Sequence, residues 1–258
     1  MSENVCLRDF ERFNTTTESI YDLEGHKVLI ILRDATNLTD WEDVEDEDEV
    51  LYVSEDLSDF TDLSRKYRNF YNLRAVVAFG VTDKVKSTRS MFAGCPNLRH
   101  VSTMNSWDLS NVERMDRMFN FCTSLSDLSA LSDWDVSNVK NMDSMFSGCD
   151  SLCDLSALSD WDVGNVVNME HMFSMCLELS DVTPLKSWDV GNVRWAECMF
   201  ADCWKLADIS SLRDWNFSSI TPHGYLGMFD GCIVDVSIFN DLDREMLLAR
   251  DLLFGGWR

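Results

Sequence analysis

The chain has 258 residues, enough for one large domain or two small ones, and its apolar share is ordinary for a globular protein. Its charge is unusual, because 45 acidic residues outnumber 22 basic ones and give a formal net charge of −23. Such a surface repels nucleic acid and anionic membranes and attracts basic partners, so binding to DNA or RNA is the first function that the charge excludes.

The N-terminal region, residues 1–62, carries no internal repeat. Its first 20 residues lack a basic segment followed by an apolar stretch, and neither end of the chain has a lipid-attachment motif. The aliphatic run 28–32 has the length of a buried strand and is far too short for a membrane span. We therefore expect a cytoplasmic protein, or a cell-surface protein if a targeting segment has been removed.

An acidic run lies between Asp40 and Glu49, where only Trp41 and Val44 are not acidic. It lacks the spacing and the turn glycine of an EF-hand. Runs of this kind are typical of solvated loops and also of interaction arms. If the run is an arm, Trp41 is its apolar anchor and its acidic residues contact a basic partner. These are Glu42, Asp43, Glu45, Asp46, Glu47, Asp48 and Glu49.

The dipeptide Met-Phe recurs six times at spacings of 27, 27, 27, 27 and 29 residues. A cysteine follows each methionine by four positions, and a tryptophan recurs every 27 residues from Trp107 to Trp215. A period kept over this distance indicates a repeat architecture in which each unit stacks on its neighbours. The methionines are Met91, Met118, Met145, Met172, Met199 and Met228, and the cysteines are Cys95, Cys122, Cys149, Cys176, Cys203 and Cys232.

Within one unit, apolar residues at helical spacing over 139–149 predict a short helix, and those over 125–134 predict a short extended segment. Each unit is thus predicted to be a strand, a turn and a short helix. The apolar residues at these positions are predicted to be buried, among them Trp134, Trp161, Trp188, Met145, Phe146, Met172 and Phe173. A degenerate first unit extends the solenoid to 63–232, with an N-terminal cap over 1–62 and a C-terminal helical cap over 233–258.

The Met-Phe-x-x-Cys-x-x-Leu and Trp-Asp-Val-x-Asn-Val-x-x-Met pattern resembles the BspA-like leucine-rich repeats, in the form also called the DUF285 or mycoplasma-type surface-protein repeat. The resemblance covers about residues 85–232. It implies an α/β repeat fold, a leucine-rich-repeat-like solenoid with 27-residue units. It also implies adhesion or other protein binding, in a family whose members are usually described as secreted or surface-attached.

The repeated cysteines fall in an apolar pattern, and stacked units would place equivalent residues about 5 Å apart. That distance suits a disulfide, but stacked Cβ atoms point in parallel and not towards each other. A reduced structural ladder is therefore the favoured interpretation. Some disulfide content and metal binding are the alternatives, the latter without a Cys-x-x-Cys pair to support it.

Two aspartate rows share repeat positions. In the first row, each aspartate precedes an inward apolar residue and is predicted to point outward; its members are Asp127, Asp154, Asp181 and Asp208. This row is a solvated or structural face, a strip that binds a partner, or a calcium site. The second row is predicted to hydrogen-bond backbone at turns; it consists of Asp108, Asp135, Asp162 and Asp189, with Asn111, Asn138, Asn165 and Asn192. One unit also carries Trp195 and Trp204, which indicate a local interface.

Catalysis has little support, because the four histidines share no repeat position and no nucleophile elbow, P-loop, zinc-protease motif or dinucleotide fingerprint is present. We expect no enzyme, no cofactor and no metal site. One predicted function is an acidic intracellular binder or inhibitor, immunity-like, of a basic protein partner. It would use the first aspartate row, the acidic arm, Trp195 and Trp204. The alternative is a BspA-like cell-surface adhesion protein whose signal or anchor is not in this chain.

Overall fold

The computed structural model describes residues 18–21, 27–33, 50–79, 82–99, 101–239 and 247. Four strands form one sheet in chain order: β1 (Glu18–Tyr21), β2 (Lys27–Arg33), β3 (Val50–Asp56) and β4 (Leu73–Phe79). β1 and β2 are antiparallel, whereas β2 with β3 and β3 with β4 are parallel. The strand predicted over 28–32 is confirmed as part of β2. The predicted C-terminal helical cap over 233–258 is described at 233–239, which include a 3₁₀ helix at Val236–Ile238, and at Leu247, which is helical and buried.

From Asp62 onward the chain winds into seven stacked coils. Single parallel bridges join equivalent positions of the first six coils, from Asp62 to Trp195, and the amide of Ala196 donates to Gly224 O in the seventh. The sheet continues into this stack, because Arg99 N in the second coil donates to Arg74 O of β4 at 3.0 Å. Buried residues from Leu57 to Phe239 form one continuous apolar core.

The short helix predicted over 139–149 is wrong. Alternate amides of this stretch donate to the next coil, as from Ser144 N to Glu170 O at 2.7 Å and from Phe146 N to Met172 O at 2.9 Å. Most of the amides between them donate to the carbonyl oxygen three residues earlier and so close short turns, as Met145 N does to Met142 O at 3.2 Å. Every backbone amide over 142–149 is thereby satisfied without a helix, because the next coil supplies half of the acceptors.

This backbone requires a left-handed conformation twice in every coil, once just before the methionine position and once three residues after it. In the fourth coil these residues are Ser144, with φ of 54°, and Gly148, with φ of 72°. A residue with a side chain costs roughly 1–2 kcal/mol in this region, so the bonds between coils must offset that strain. The full set is Arg65, Asn69, Ser90, Gly94, Arg117, Phe121, Ser144, Gly148, His171, Met175, Cys198, Asp202, Gly227 and Gly231.

The extended segment predicted over 125–134 is also wrong, since it contains a 3₁₀ helix at Ser129–Leu131. Apolar side chains at every third residue match the three residues per turn of this helix, which explains why the pattern was misread. Five equivalents occur along the stack. They are Ser102–Ser106, Ser156–Leu158, Thr183–Ser187, Ser210–Leu212 and Val236–Ile238. The strand, turn and helix predicted for each unit are therefore replaced by a turn-rich ladder and one 3₁₀ helix.

Aromatic rows fill the core. The rings of Phe119 and Phe146 lie 5.6 Å apart at 6°, and those of Phe146 and Phe173 lie 5.7 Å apart at 7°. A second row is formed by tryptophans, and the indole Nε1 of Trp134 donates to Met104 O at 2.9 Å. The predicted burial is confirmed, because none of the predicted core residues is more than 4% exposed; these are Trp134, Trp161, Trp188, Met145, Phe146, Met172 and Phe173.

The repeat cysteines are free thiols in the structure. Each donates its Sγ hydrogen to a carbonyl of the preceding coil, as Cys149 does to Phe119 O at 3.3 Å and Cys176 to Phe146 O at 3.3 Å. Burial raises the pKa of the Cys149 and Cys176 thiols well above the usual value, so they stay protonated. This geometry agrees with the reduced structural ladder.

Candidate functional site

The first aspartate row lies at the turn that leads into each 3₁₀ helix, and all four side chains are exposed. Asp154 Oδ1 accepts a hydrogen bond from Ser156 N at 2.8 Å, two residues further on. The same bond recurs at Asp127, Asp181 and Asp208. In Asp208 this backbone bond lowers the pKa of the carboxyl group. The row therefore has a structural role and still presents carboxylates to solvent.

The second aspartate row forms the same bond, as from Ser137 N to Asp135 Oδ1 at 3.0 Å. Its asparagines tie neighbouring coils together, since Asn138 Nδ2 donates to Ser110 O at 2.7 Å and Asn165 Nδ2 to Ser137 O at 2.8 Å. The structural role predicted for this row is confirmed.

Both rows contribute to one acidic surface, which we call the aspartate face. It comprises the outward side chains of four equivalent segments, 127–135, 154–162, 181–189 and 208–216. Ten exposed aspartates lie there against two basic residues, Lys186 and Arg213. The aspartates are Asp127, Asp133, Asp135, Asp154, Asp160, Asp162, Asp181, Asp189, Asp208 and Asp214.

The other predicted site residues do not all join this face. Trp195 is 37% exposed and forms the β-bridge to Asn168, at the N-terminal end of the hydrogen-bonded segment 195–202 in the sixth coil. Trp204 is 62% exposed, lies beyond the other end of that segment, and donates from Nε1 to Asp202 Oδ1 at 3.3 Å. The acidic arm lies outside the described residues; it consists of Trp41, Glu42, Asp43, Glu45, Asp46, Glu47, Asp48 and Glu49.

A second surface was missed by the sequence analysis, and we call it the ladder face. It comprises the outward side chains of the hydrogen-bonded segments 62–69, 87–94, 114–121, 141–148, 168–175, 195–202 and 224–231. The first three segments hold six basic and two acidic residues, whereas the last three hold four acidic residues and neither lysine nor arginine. The basic residues are Arg65, Lys66, Arg68, Arg89, Arg114 and Arg117; the acidic ones are Asp62 and Asp116, then Glu170, Glu197, Asp202 and Asp230. Counting charge by repeat position would have found this division.

At the basic end of the ladder face, the buried Asp116 carboxylate is held by two arginines. Arg114 contacts it with two nitrogens at 2.9 and 3.1 Å. Arg89 Nε lies 2.9 Å from Asp116 Oδ2, although without the alignment of a hydrogen bond. Since two arginines share one carboxylate, this end keeps an excess of positive charge.

At the acidic end, Glu170 accepts a hydrogen bond from Asn168 Nδ2 at 2.7 Å. Its neighbour Glu197 has a buried Oε2 for which the described part of the chain supplies no hydrogen-bond partner. Burial raises the pKa of Glu197 to about 7, and the adjacent Glu170 carboxylate adds to the effect. Two carboxyl groups, Glu170 and Glu197, therefore lie side by side at this end.

The described residues hold no group of three histidine, cysteine or acidic side chains placed to bind a metal ion. A cavity of about 390 Å³ opens near the last coil between Trp215, Tyr225 and Phe239, and Arg213 is the one charged residue in its lining. No helix in the part of the chain that the structure describes is long and apolar enough to cross a membrane.

Comparison with known proteins gives one family. The family model described as "Mycoplasma protein of unknown function, DUF285" matches residues 61–156 and again residues 127–236. The two matches together cover the coils and more than half of the chain. No curated protein and no solved structure matches the chain.

Proposed function

The chain belongs to the DUF285 family, and we propose that it is a non-enzymatic protein-binding scaffold built on a leucine-rich-repeat-like solenoid. Its partner is a protein with a basic surface, which it holds or inhibits inside the cell in the manner of an immunity protein. The observation that carries this proposal is the aspartate face, where ten exposed aspartates stand against two basic residues.

The aspartate face is arranged for charge recognition. Equivalent aspartates of stacked coils lie about one strand spacing apart, roughly 5 Å, so their carboxylates repel one another until a cation or a basic partner neutralises them. The bond from Ser156 N to Asp154, and its equivalents, hold each carboxylate in place before binding. Fixed charges of one sign speed the encounter with a complementary surface and discriminate against acidic proteins.

Trp204 supplies an apolar contact next to this face. Its side chain is 62% exposed and lies four residues before Asp208. Exposed tryptophans with polar surroundings are frequent anchors of protein interfaces. Within the part of the chain that the structure describes, the cavity near Arg213 has no histidine or acidic side chain in its lining, so it offers no acid and base pair for catalysis.

The test is affinity capture on immobilised protein from native lysate, with bound proteins quantified by mass spectrometry at about 0.05 M and 0.5 M salt. Three variants carry charge-neutralising changes. The first changes the first row, Asp127, Asp154, Asp181 and Asp208, to Asn. The second is the matched control and neutralises the same number of exposed acidic residues outside the aspartate face, by changing Asp59, Asp83, Glu113 and Glu178 to Asn or Gln. The third neutralises the acidic arm from Glu42 to Glu49.

Basic proteins should be captured at low salt and lost at high salt, because screening shortens as salt rises. The first-row variant should capture them at least tenfold less, while the control should stay within about threefold of the unchanged chain, since it removes the same charge from outside the aspartate face. Loss with the arm variant alone would assign recognition to residues 40–49. A cell-surface adhesin that reads apolar or glycan ligands would respond to none of these changes, and salt-independent capture by every variant overturns the proposal.

A further inference from the structure

We propose that the ladder face joins two copies of this chain face to face, with their coils in opposite order, about a two-fold axis that passes through the fourth coil. The inference concerns a different surface from the aspartate face and does not depend on the proposed function. It rests on the distribution of charge, apolar side chains and small residues along the seven coils.

The ladder face is electrically self-complementary. Its first three segments carry five outward basic residues and two acidic ones, a net of three positive charges, and its last three carry four negative charges. Lys66 is not counted, because it occupies the position of the buried methionines and its Nζ lies 4.0 Å from the centre of the Phe60 ring. Reversing the order of coils sets the first coil opposite the seventh, the second opposite the sixth and the third opposite the fifth. A two-fold interface makes each such contact twice, so both ends are neutralised together.

The pairing brings specific side chains together, because a two-fold axis across the stack opposes equal repeat positions. Arg89 of the second coil and Glu197 of the sixth share one position, two residues before the methionine. Arg68 and Asp230 share another position in the first and seventh coils. Glu197, which is partly exposed, would thus face Arg89 of the second copy, whose Nε lies 2.9 Å from Asp116 of its own chain.

Apolar side chains follow the same symmetry. Phe121 of the third coil is 48% exposed and Met175 of the fifth is 41% exposed, and both lie three residues after the methionine. In the proposed dimer each Phe121 meets Met175 of the second copy. Exposed apolar side chains at symmetric positions are what a self-complementary interface requires.

The fourth coil at the axis has few projecting side chains of its own. Its ladder segment includes Ser144 and Ser147, both 8% exposed, and Gly148, on which the Phe121 ring of the third coil lies. Asp143 is the one charged residue of the segment, and Arg117 of the same copy pairs with it at 3.1 Å. The apolar contact near the axis is therefore made by the Phe121 rings.

Three effects oppose the dimer and set its strength. Each copy carries a formal charge of −23. Asp116 faces Glu170 of the second copy, although two arginines already neutralise Asp116. Asp143 lies at the axis and faces Asp143 of the second copy, although Arg117 pairs with it in each copy. Seven coils about 5 Å apart span roughly 30 Å, and eight extended residues reach at most about 26 Å. The face is therefore at most about 800 Å² per copy, the size of a standard interface. We expect reversible association held by charge.

Sedimentation velocity at micromolar to tens of micromolar protein tests the proposal. At about 0.1 M salt, where screening leaves contacts intact but damps long-range repulsion, the chain should sediment as a dimer; at about 1 M salt it should be a monomer. Arg68→Asp and Asp230→Arg should each weaken dimerisation at least tenfold, and the double variant should restore it to within about threefold. Phe121→Ser should weaken it independently of salt.

Matched controls make the same charge changes on the aspartate face. Lys186→Asp and Asp160→Arg should leave dimerisation within about threefold of the unchanged chain, and circular dichroism should show that every variant is folded. A monomer at both salt concentrations overturns the proposal and leaves the basic end of the ladder face to a different acidic partner. A dimer that Arg68→Asp does not weaken, or that the double variant does not restore, places the interface elsewhere and also overturns it.

Discussion

Phe146 occupies the middle of the aromatic row and is fully buried between Phe119 and Phe173. Phe146→Ala should lower the free energy of unfolding by about 3–5 kcal/mol, because it removes buried ring area and leaves a cavity that the stack cannot close. Denaturant unfolding measures the loss. Phe121→Ala is the matched control, since Phe121 is 48% exposed, and it should cost less than about 1 kcal/mol. Equal effects at the two positions would mean that the row does not stabilise the stack.

Glu197 makes stability depend on pH. Its folded pKa is about 7 against an ordinary value of 4.5. A carboxyl group with a raised folded pKa stabilises the fold fully below the unfolded pKa, and that contribution is lost as pH rises towards about 7. The Glu197→Gln side chain stays neutral at every pH, so this variant should be more stable than the unchanged chain at pH 8. The gain should be on the order of 1 kcal/mol, a small value because Glu197 is only half-buried and water screens its charge.

The comparison is made by thermal unfolding at about pH 4.5 and 8, with Glu113→Gln as control, because Lys140 lowers the pKa of Glu113 by a hydrogen bond and by its charge. The control should show no gain at pH 8. A Glu197→Gln variant that gains nothing at pH 8 relative to pH 4.5 would show that Glu197 is already neutralised by another group.

At the scale of the element, each 3₁₀ helix of the first aspartate row follows a turn in which the aspartate accepts a hydrogen bond from the first helical amide. Asp154→Ala removes the acceptor for Ser156 N and should cost about 1 kcal/mol, the net contribution of one hydrogen bond. Asp154→Asn keeps an oxygen in the same place, so it should be neutral or slightly stabilising, because it also removes repulsion along the row. Unfolding midpoints compare the two variants. Equal destabilisation by Ala and Asn would show that the charge, and not the turn bond, matters.

The elements were only partly predictable from the sequence. The period of 27 residues correctly predicted which side chains are buried, because equivalent positions of stacked units have equivalent surroundings. The conformation within a unit was misread, since apolar residues at 142, 145, 146 and 149 suit a helix and the observed alternating turns equally well. What decides between them is the left-handed backbone at positions such as Ser144, where no glycine marks it.

At the scale of the molecule, composition predicted an acidic surface but not how its charge is divided. The aspartate face follows from the first row and could be located from sequence alone. The ladder face was missed because its segments were taken for a helix, which would not place Arg65, Arg89 and Arg117 on one outward face. A net charge of −23 conceals this basic patch until charge is counted by repeat position and the coils are stacked in the observed register.

The same charge makes the stability of the whole molecule depend on salt. Repulsion among 45 acidic residues acts over about 30 Å at 0.01 M salt and about 8 Å at 0.15 M. Raising salt across this range should stabilise the fold by on the order of 1 kcal/mol, or about 2–4 °C in Tm. Changing Asp127, Asp154, Asp181 and Asp208 to Asn should raise Tm at low salt and flatten the response, since Asn retains the turn bond. Differential scanning calorimetry on dilute protein, where association does not contribute, measures both effects.

Choline chloride should act as sodium chloride does if screening is the cause. A Tm that falls as salt rises would show that attractive pairs such as Arg114 with Asp116 outweigh the repulsion.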